Sequence, residues 1–221
     1  MGSHRAVLPA KLPAGPPDPP ALPSAILGAR FVEAVAFATE KHAHQVRKGS
    51  SSPYLTHLLA VAARVGESGG SEDEIIAGLL HDTVEDGGGA AVLEAIAERF
   101  GPEVAAIVAG CTDDDSGADK APWLERKRAY LSSLAGATLA TLRVVAADKL
   151  HNAQCLERDL KDHGPGVFQR FRGDREGTLW YYRSCARIFG ALIQDEPGLD
   201  AGFRALIREL RETVARLDAG A

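Results

Sequence analysis

Apolar residues recur every three or four positions along most of the chain, which is the spacing of an amphipathic helix. One such pattern starts at Ala29, and a second begins after Pro53, where proline suits a first helical turn. Ser71, with Glu74 three residues later, predicts a capping box for a third helix that runs on to the glycines at 87–89. Further helical patterns cover 90–99, 102–110, 123–135, 139–160, 174–194 and 199–218. Strand patterns are nearly absent, so the sequence predicts an all-α fold, a bundle of about ten helices.

Two stretches depart from this helical pattern. Seven of the first 24 residues are proline, which removes backbone donors and fixes φ too often for a helix or sheet to persist. We therefore expect residues 1–24 to form an extended or disordered tail and residues 25–221 to form a single domain. The segment 112–121 is polar, holds four aspartates and lacks periodicity, so we expect a loop there.

The bulk composition narrows the class of protein. The 221 residues are 45% hydrophobic and 25% charged, and no run approaches the roughly 20 apolar residues of a membrane span, so we expect a soluble globular protein. A net charge of −5 argues against a nucleic-acid-binding surface, and any anionic ligand then requires a local cluster of positive charge. Cys111, Cys155 and Cys185 are scattered without CxxC spacing, which argues against disulfides and favours a reducing cytoplasm.

Candidate chemistry is concentrated in the run His-Asp-Thr-Val-Glu-Asp at 81–86. Helical spacing places Glu85 four residues after His81, and Asp86 four residues after Asp82, so that one helix end presents several polar groups. Apolar residues lie immediately upstream, and near a buried helix unpaired charges are costly unless a metal or a partner neutralises them. A metal is the simplest interpretation.

A single His-Asp pair offers too few donors to hold a divalent ion such as Mn²⁺, Zn²⁺ or Fe²⁺ firmly. The best candidates for further ligands are His57, in the segment Pro-Tyr-Leu-Thr-His, and Asp148, in the segment Ala-Asp-Lys-Leu-His-Asn. Each lies on a predicted helix with apolar neighbours, as expected for a ligand that points into a protein interior.

Several motifs, taken in order, resemble a known family, the HD-domain alarmone hydrolases of the RelA/SpoT type and their stand-alone small relatives. The matching segments are 42–48 (HAHQVRK), 53–57 (PYLTH), 78–86 (GLLHDTVED), 100–101 (FG) with Val104, 125–128 (ERKR) and 147–152 (ADKLHN). Together they span about residues 31–160. A set of motifs in this order is far more specific than an isolated His-Asp pair.

The resemblance implies a helical HD fold that hydrolyses the 3′-pyrophosphate of guanosine tetraphosphate or pentaphosphate to GDP or GTP and pyrophosphate. It also implies a cofactor, usually Mn²⁺, although another divalent metal stays open. The residue roles that it implies are metal ligands at His57, His81, Asp82 and Asp148, water-orienting or water-deprotonating acids at Glu85 and Asp86, and substrate contacts at Arg47, Lys48 and Asn152. By their charge, Lys149 and Arg126 could also stabilise the leaving pyrophosphate.

Other polar residues beside the motifs have a structural interpretation. We expect Lys127 and Arg128 to lie on a solvated basic helix face. His42 falls on an apolar stripe and is predicted to be a core histidine, and His163 is predicted to lie in a loop. His151 lies three residues past Asp148, where it could orient a ligand or simply pack.

The aromatic cluster Trp180-Tyr181-Tyr182 lies in a predicted helix with apolar neighbours, so we expect it to belong to the core, or to form a lid over the site, rather than to stack on a base. The last helix carries an apolar stripe over 199–217 that suits packing onto the domain or onto a second copy. A monomer and a homodimer therefore both stay open.

Three functions stay open at this point. The first is alarmone hydrolysis, with a small-molecule nucleotide as the binding partner and neither nucleic acid nor membrane. The second is the same chemistry on another nucleotide, such as a ppApp-type alarmone, NADPH or a nucleoside monophosphate, because the serine-rich stretch 48–53 leaves base recognition unspecified. The third is a non-catalytic alarmone-binding regulator, against which the retention of both Glu85 and Asp86 argues.

Overall fold

The computed structural model describes residues 27–113 and 121–220, apart from the side chain of Asp86. Ten α-helices lie within those ranges: α1 Ala29–Lys41, α2 Leu55–Glu67, α3 Glu72–Leu80, α4 Thr83–Gly87, α5 Ala90–Phe100, α6 Pro102–Cys111, α7 Trp123–Ser133, α8 Leu139–His163, α9 Asp174–Asp195 and α10 Ala201–Gly220. Short 3-10 helices cover Leu134–Gly136 and Pro165–Arg170. No strand occurs in the same ranges, where extended residues pair only in a bridge between Val46 and Pro53. The predicted all-α fold is confirmed.

The start of α3 follows the capping-box prediction, whereas its end does not. Ser71 Oγ accepts from the backbone N–H of Glu74 at 3.3 Å, and Glu74 Oε2 accepts from the backbone N–H of Ser71 at 2.7 Å. We predicted that this helix continues to the glycines at 87–89, but it stops at Leu80. His81 Nδ1 lies 2.8 Å from Gly78 O and Thr83 Oγ1 donates to Leu80 O at 2.5 Å, so side chains satisfy carbonyls of the last turn. His81 and Asp82 therefore form a turn between α3 and α4.

The loop 42–54 leads into α2, which begins at Leu55, after Pro53 as predicted. Pro53 itself lies before the first turn of this helix rather than in it. Instead, the bridge between Val46 and Pro53 is flanked by hydrogen bonds from Arg47 N to Ser52 O and from Tyr54 N to Gln45 O, both 2.9 Å. The loop is thus a short hairpin-like excursion that carries basic residues to one end of the helical body.

The long helix α8 is the centre of the fold. It packs against α2, α3, α6, α9 and α10. All residues from Thr141 to Asp148 are buried, so burial here covers every face of the helix rather than one stripe. We predicted a loop position for His163, but it is the last residue of α8, and Gly164 caps the helix. Asp148 therefore enters the interior from the middle of a rigid element.

Arg143 joins three separate parts of the chain at one end of α8. Its guanidinium donates from Nε to Glu74 Oε1 at 2.9 Å, from Nη2 to Asp200 Oδ2 at 2.6 Å, and from Nη1 to the backbone oxygen of Ser68. The guanidinium carbon lies 4.7 Å from the ring centroid of Phe203. A buried cation that donates to three acceptors in this way fixes the position of α8 against α3 and α10.

The predicted tail at 1–24 lies outside the described residues, as does the segment 114–120 of the predicted loop. The organisation of residues 25–221 as one domain stays a prediction. The apolar core nevertheless draws on α1 to α10 together, since its buried residues form one cluster from Ala34 to Leu217.

Candidate active site

Three side chains that the sequence places far apart converge at the inner end of a cleft. They are His57 from α2, His81 from the turn after α3, and Asp148 from α8, and one potential ligand atom of each lies within 4.8 Å of the other two. His57 Nε2 is 3.2 Å from Asp148 Oδ1, and His81 Nε2 is 3.6 Å from the same oxygen. All three residues are at most 5% exposed. The structure thus brings together three of the four predicted metal ligands.

The fourth predicted ligand, Asp82, lies beside this cluster. Its Oδ2 is 3.1 Å from His81 Nε2 and 3.6 Å from His57 Nε2. The hydroxyl of Tyr54 donates to the same oxygen at 2.6 Å. Asp82 thus faces both imidazoles while Tyr54 fixes its orientation from the outside.

The two imidazoles are oriented in a way that leaves Nε2 of each ring for a ligand. Nδ1 of His81 lies 2.8 Å from Gly78 O, and Nδ1 of His57 lies 2.8 Å from His151 Nδ1. Both Nε2 atoms are buried and lack a hydrogen bond among the described residues. Buried polar atoms are rarely left unsatisfied, and a pair of imidazole nitrogens between two carboxylates is a donor set that suits a divalent transition metal. The residues present fit such an ion.

The electrostatics of the cluster favour a bound cation. Burial alone disfavours charge on His81, but the carboxylates of Asp82 and Asp148 outweigh it and raise the pKa of His81 to about 10. Burial likewise opposes charge on the two carboxyl groups, yet the pKa of Asp82 is held well below its usual value by His81, and that of Asp148 by Lys149 and both histidines. By contrast, burial and the nearby His57, Arg47 and Arg64 lower the pKa of His151 to about 4. His151 therefore experiences a positive local environment, unlike His81, which faces two carboxylates.

A cleft of about 840 Å³ extends outward from this cluster. Its lining includes eight Lys or Arg residues and five Asp or Glu residues, in a chain whose net charge is −5. The basic members are Arg47, Lys48, Arg126, Lys127, Lys149, Arg158, Arg170 and Arg172, and the acidic members are Asp82, Glu85, Asp113, Asp148 and Asp159. The concentration of positive charge that an anionic ligand requires is thus found in this cleft.

The predicted substrate residues on the loop 42–54 and on α8 meet in this cleft. Arg47 Nη2 donates to Asn152 Oδ1 at 2.6 Å, and its guanidinium lies 5.6 Å from the ring centroid of Tyr54. Asn152 in turn donates to Asp148 Oδ1, and Lys149 Nζ donates to Asp148 Oδ2, both at 2.5 Å. Polar contacts therefore run without interruption from the outer loop to a predicted metal ligand.

Arg126 and Lys127 lie at the opposite wall, on α7. Arg126 Nη1 and Lys127 Nζ donate to Asp113 Oδ2 at 3.1 and 2.5 Å, and the Asp113 side chain is only 5% exposed. The expectation of a solvated face is therefore wrong for Lys127, because α7 turns this side chain toward Asp113 and the rings of Tyr130 and Tyr181. Arg128 is exposed, as expected.

The acidic pair after the His-Asp turn is only partly described. Glu85 lies on α4, is exposed and lines the cleft. Asp86 also belongs to α4, but its side chain is outside the description. The structure thus brings Glu85 to the cleft and leaves the orientation of the Asp86 carboxylate untested.

Three cleft residues were not assigned there from the sequence. Arg170 donates to the backbone oxygen of Lys48 at 3.3 Å and to Asp159, which holds the loop 42–54 from the side of the second 3-10 helix. Asp113 anchors two cations, and no local pattern distinguishes it from the neighbouring aspartates. Tyr181 is buried, as predicted, but it also lines the cleft, and its hydroxyl has no hydrogen-bond partner among the residues that the structure describes.

The remaining aromatic and histidine predictions agree with the structure. Tyr182 is buried and Trp180 packs against the core, with its ring 6.4 Å from that of Trp123. His42 is 3% exposed, pairs with Gln45 Oε1 at 2.5 Å and stacks on Tyr54. His42 thus supports the ring that holds Asp82 and is itself no ligand of the cluster.

A family model described as the HD domain matches residues 34–179. The chain belongs to the HD-domain family. The HD domain here includes every described residue of the ligand cluster and most of the cleft. No helix in the described ranges is long and apolar enough to span a membrane, and Cys111, Cys155 and Cys185 are all free thiols.

Several relatives of this HD domain are named as 3′-pyrophosphohydrolases, and others as GTP pyrophosphokinases. The chain is 39% identical over 133 residues to the guanosine-3′,5′-bis(diphosphate) 3′-pyrophosphohydrolase MESH1 of Xenopus tropicalis, covering 59% of this chain and 71% of that protein. It is 32% identical over 179 residues to the enzyme of the same name from Drosophila melanogaster, covering 80% and 94%. A solved metazoan orthologue of SpoT, described as hydrolysing ppGpp, superposes with a TM-score of 0.64 at 26% identity, over 84% of this chain and 95% of that one.

Proposed function

We propose that this HD-domain protein removes the 3′-pyrophosphate of guanosine tetraphosphate or pentaphosphate in a metal-dependent hydrolysis. The observation that carries the proposal is the buried cluster of His57, His81 and Asp148 at the inner end of a cleft lined by basic residues. A ligand cluster beside concentrated positive charge suits a polyphosphate whose scissile group must reach a cation. The relatives named as 3′-pyrophosphohydrolases support the same substrate.

The residues that hold the ion in this proposal are His57, His81, Asp82 and Asp148. Two imidazole nitrogens and two carboxylate oxygens suit a divalent transition metal, and Mn²⁺ is the ion that the family resemblance implies. When bound, a divalent cation there supplies activation of water and screening of phosphate charge. The Nε2 atoms of both histidines have no hydrogen-bond partner among the described residues, and Tyr54 orients the Asp82 carboxylate. The side chains are therefore arranged for metal binding before an ion enters.

The remaining chemistry is positioning and proton transfer by side chains of the cleft. Glu85, with Asp86 beside it in sequence, accepts the proton of the attacking water. The oxygen of that water forms a bond to the phosphorus next to the ribose, the bond from phosphorus to the 3′ oxygen breaks, and the 3′ oxygen takes up a proton. The products are GDP or GTP and pyrophosphate.

Basic residues on two walls bind the phosphates in this proposal. Lys149, at the ligand cluster, and Arg126, on α7, stabilise the charge on the pyrophosphoryl group as it is transferred to water. Arg47, Lys48 and Asn152 line the side toward the loop 42–54, where the base and the remaining phosphates are bound. The small nucleotide is the only partner that the proposal requires, and free thiols suit a reducing compartment such as the cytoplasm.

The test is turnover of purified protein loaded with Mn²⁺ against a nucleotide panel, with the products resolved as pyrophosphate or orthophosphate. We expect guanosine tetraphosphate to yield GDP and pyrophosphate. His81→Ala and Asp148→Ala should lose both metal and activity, whereas Glu85→Ala should retain the metal and lose turnover by roughly 10²–10⁴-fold, as expected for a general base.

Two outcomes would contradict the proposal. If guanosine tetraphosphate is untouched while a ppApp-type alarmone, NADPH or a nucleoside monophosphate is cleaved, the hydrolase chemistry stands and the substrate is wrong. If every nucleotide is bound and none is cleaved, the protein is an alarmone-binding regulator instead. Metal retained by Asp148→Ala at the wild-type stoichiometry would remove Asp148 from the ligand set.

A further inference from the structure

The two histidines of the ligand cluster are held in different ways. Nδ1 of His81 lies 2.8 Å from the backbone oxygen of Gly78, and a carbonyl oxygen can only accept a hydrogen bond. Nδ1 of His57 lies 2.8 Å from Nδ1 of another imidazole, that of His151, which can donate or accept. The orientation of His81 is therefore fixed by the main chain, whereas that of His57 depends on a side chain.

The tautomer of His57 determines which nitrogen of each ring carries the proton. A neutral imidazole that offers the lone pair of Nε2 to a cation carries its proton on Nδ1. Nδ1 of His57 then donates, so Nδ1 of His151 accepts, and the proton of His151 lies on its Nε2. That atom faces Cys155 Sγ at 3.8 Å, and a thiol sulfur is a weak acceptor. Each contact from His57 through His151 to Cys155 thus has one donor and one acceptor.

We propose that His151 is a positioning residue that holds His57 in the tautomer and ring orientation required to ligate a divalent cation through Nε2. This inference rests on the proposed metal site. His57 is 1% exposed, and Nδ1 of its ring has no other hydrogen-bond partner among the described residues. Asp148 and His151 are one turn apart on α8, so the same helix supplies one ligand and orients another.

Packing alone is the competing interpretation, because the rings of His57 and His151 are also in contact, with centroids 4.9 Å apart. Three substitutions of His151 separate the two roles. His151→Asn places an amide oxygen close to the position of Nδ1 and can still accept, whereas His151→Gln carries its amide nearer the position of Nε2. His151→Leu fills the space without any acceptor. His163→Leu, an exposed histidine at the end of the same helix, is the matched control.

The readout is metal binding without substrate: the Mn²⁺ dissociation constant from the electron paramagnetic resonance signal of free Mn²⁺, and the visible absorption of the Co²⁺-loaded protein. We expect His151→Leu and His151→Gln to weaken Mn²⁺ binding by about 10–100-fold, the usual cost of losing a group that orients a ligand. His151→Asn should bind within about threefold of the wild type, and His163→Leu should bind unchanged. Circular dichroism checks that each variant is folded.

The outcomes distinguish this inference from the proposed function. If folded His151→Leu or His151→Gln binds Mn²⁺ like the wild type, or if His151→Asn binds as weakly as they do, the positioning role is wrong while the metal site stands. If His151→Leu fails to fold, the comparison of His151→Asn with His151→Gln decides the same question between two polar side chains. If the wild type binds no divalent cation, the metal-dependent function itself fails, and this inference fails with it.

Discussion

Replacement of Arg143 by methionine tests whether one buried cation fixes α8 in place. Methionine keeps most of the aliphatic stem and removes all donors of the guanidinium. The backbone oxygen of Ser68, a residue that is 4% exposed, loses its partner, and an unsatisfied buried acceptor costs about 1–3 kcal/mol. The contact to the Phe203 ring contributes about 0.5–1 kcal/mol more.

Losing the contacts to the carboxylates of Glu74 and Asp200 adds less to the destabilisation than two ion pairs would suggest. Glu74 retains its hydrogen bond from the Ser71 backbone, and the Asp200 side chain is 47% exposed and screened by solvent. Together the losses come to about 3 kcal/mol, at the lower end of the range for breaking a buried ion pair. For a chain of this length, that free energy corresponds to a fall in Tm of about 6–12 °C.

The assay is thermal unfolding followed by circular dichroism, with Arg183→Met as the control. Arg183 also pairs with a carboxylate, that of Asp218, but both groups lie at the surface, so the control should unfold with the wild type. A Tm of Arg143→Met within about one degree of the wild type would refute the claim that these contacts hold α8.

Two further predictions concern acid stability and the cleft loop. Glu157 accepts from Arg216 and Lys161, which lower its pKa, so its contribution to stability is present above the unfolded pKa of about 4.3 and is lost as pH falls through the lower folded value. Urea unfolding should show Glu157→Gln destabilised at pH 7, with a difference that shrinks toward pH 3, and a constant difference would contradict the assignment. At Gly49 φ is +76°, and an added Cβ would lie 2.2 Å from Arg170 Nη1, so Gly49→Ala should raise KM for the nucleotide without changing Mn²⁺ affinity. Gly136→Ala, which meets no atom within 4 Å, should alter neither quantity, and an unchanged KM in Gly49→Ala would show that the loop tolerates the shift.

The sequence predicted those features that depend on local spacing. The capping box at Ser71 and most of the course of α8 follow from positions three or four residues apart, whereas the turn at 81–82 was not predicted. The order of the HD-type motifs also predicted His57 and Asp148 as candidate metal ligands. The structure places both beside His81.

Contacts across long stretches of chain could not be predicted in the same way. The sequence indicates that Lys127 lies on a basic helix, but not that α7 turns it toward a buried Asp113, because that depends on the angle between packed elements. Arg47 meets Asn152, 105 positions later, for the same reason. The local rule for helix starts located the beginning of α2 just after Pro53, but it could not predict that Pro53 itself pairs with Val46 in a bridge.

The single helix α8 carries residues for both the proposed metal site and the proposed nucleotide contacts. Its 25 residues correspond to about 37 Å of rigid backbone, and it carries Asp148, Lys149, His151 and Asn152 within little more than one turn. One inserted residue in this turn would rotate the following side chains by about 100°, so metal and nucleotide contacts cannot be changed independently there. The loop 42–54 lies outside this helix, although its last residue, Tyr54, holds Asp82 and must be kept. If the rest of the loop binds the base as proposed, substitutions there can change base preference while the helix keeps its contacts to the ligand cluster.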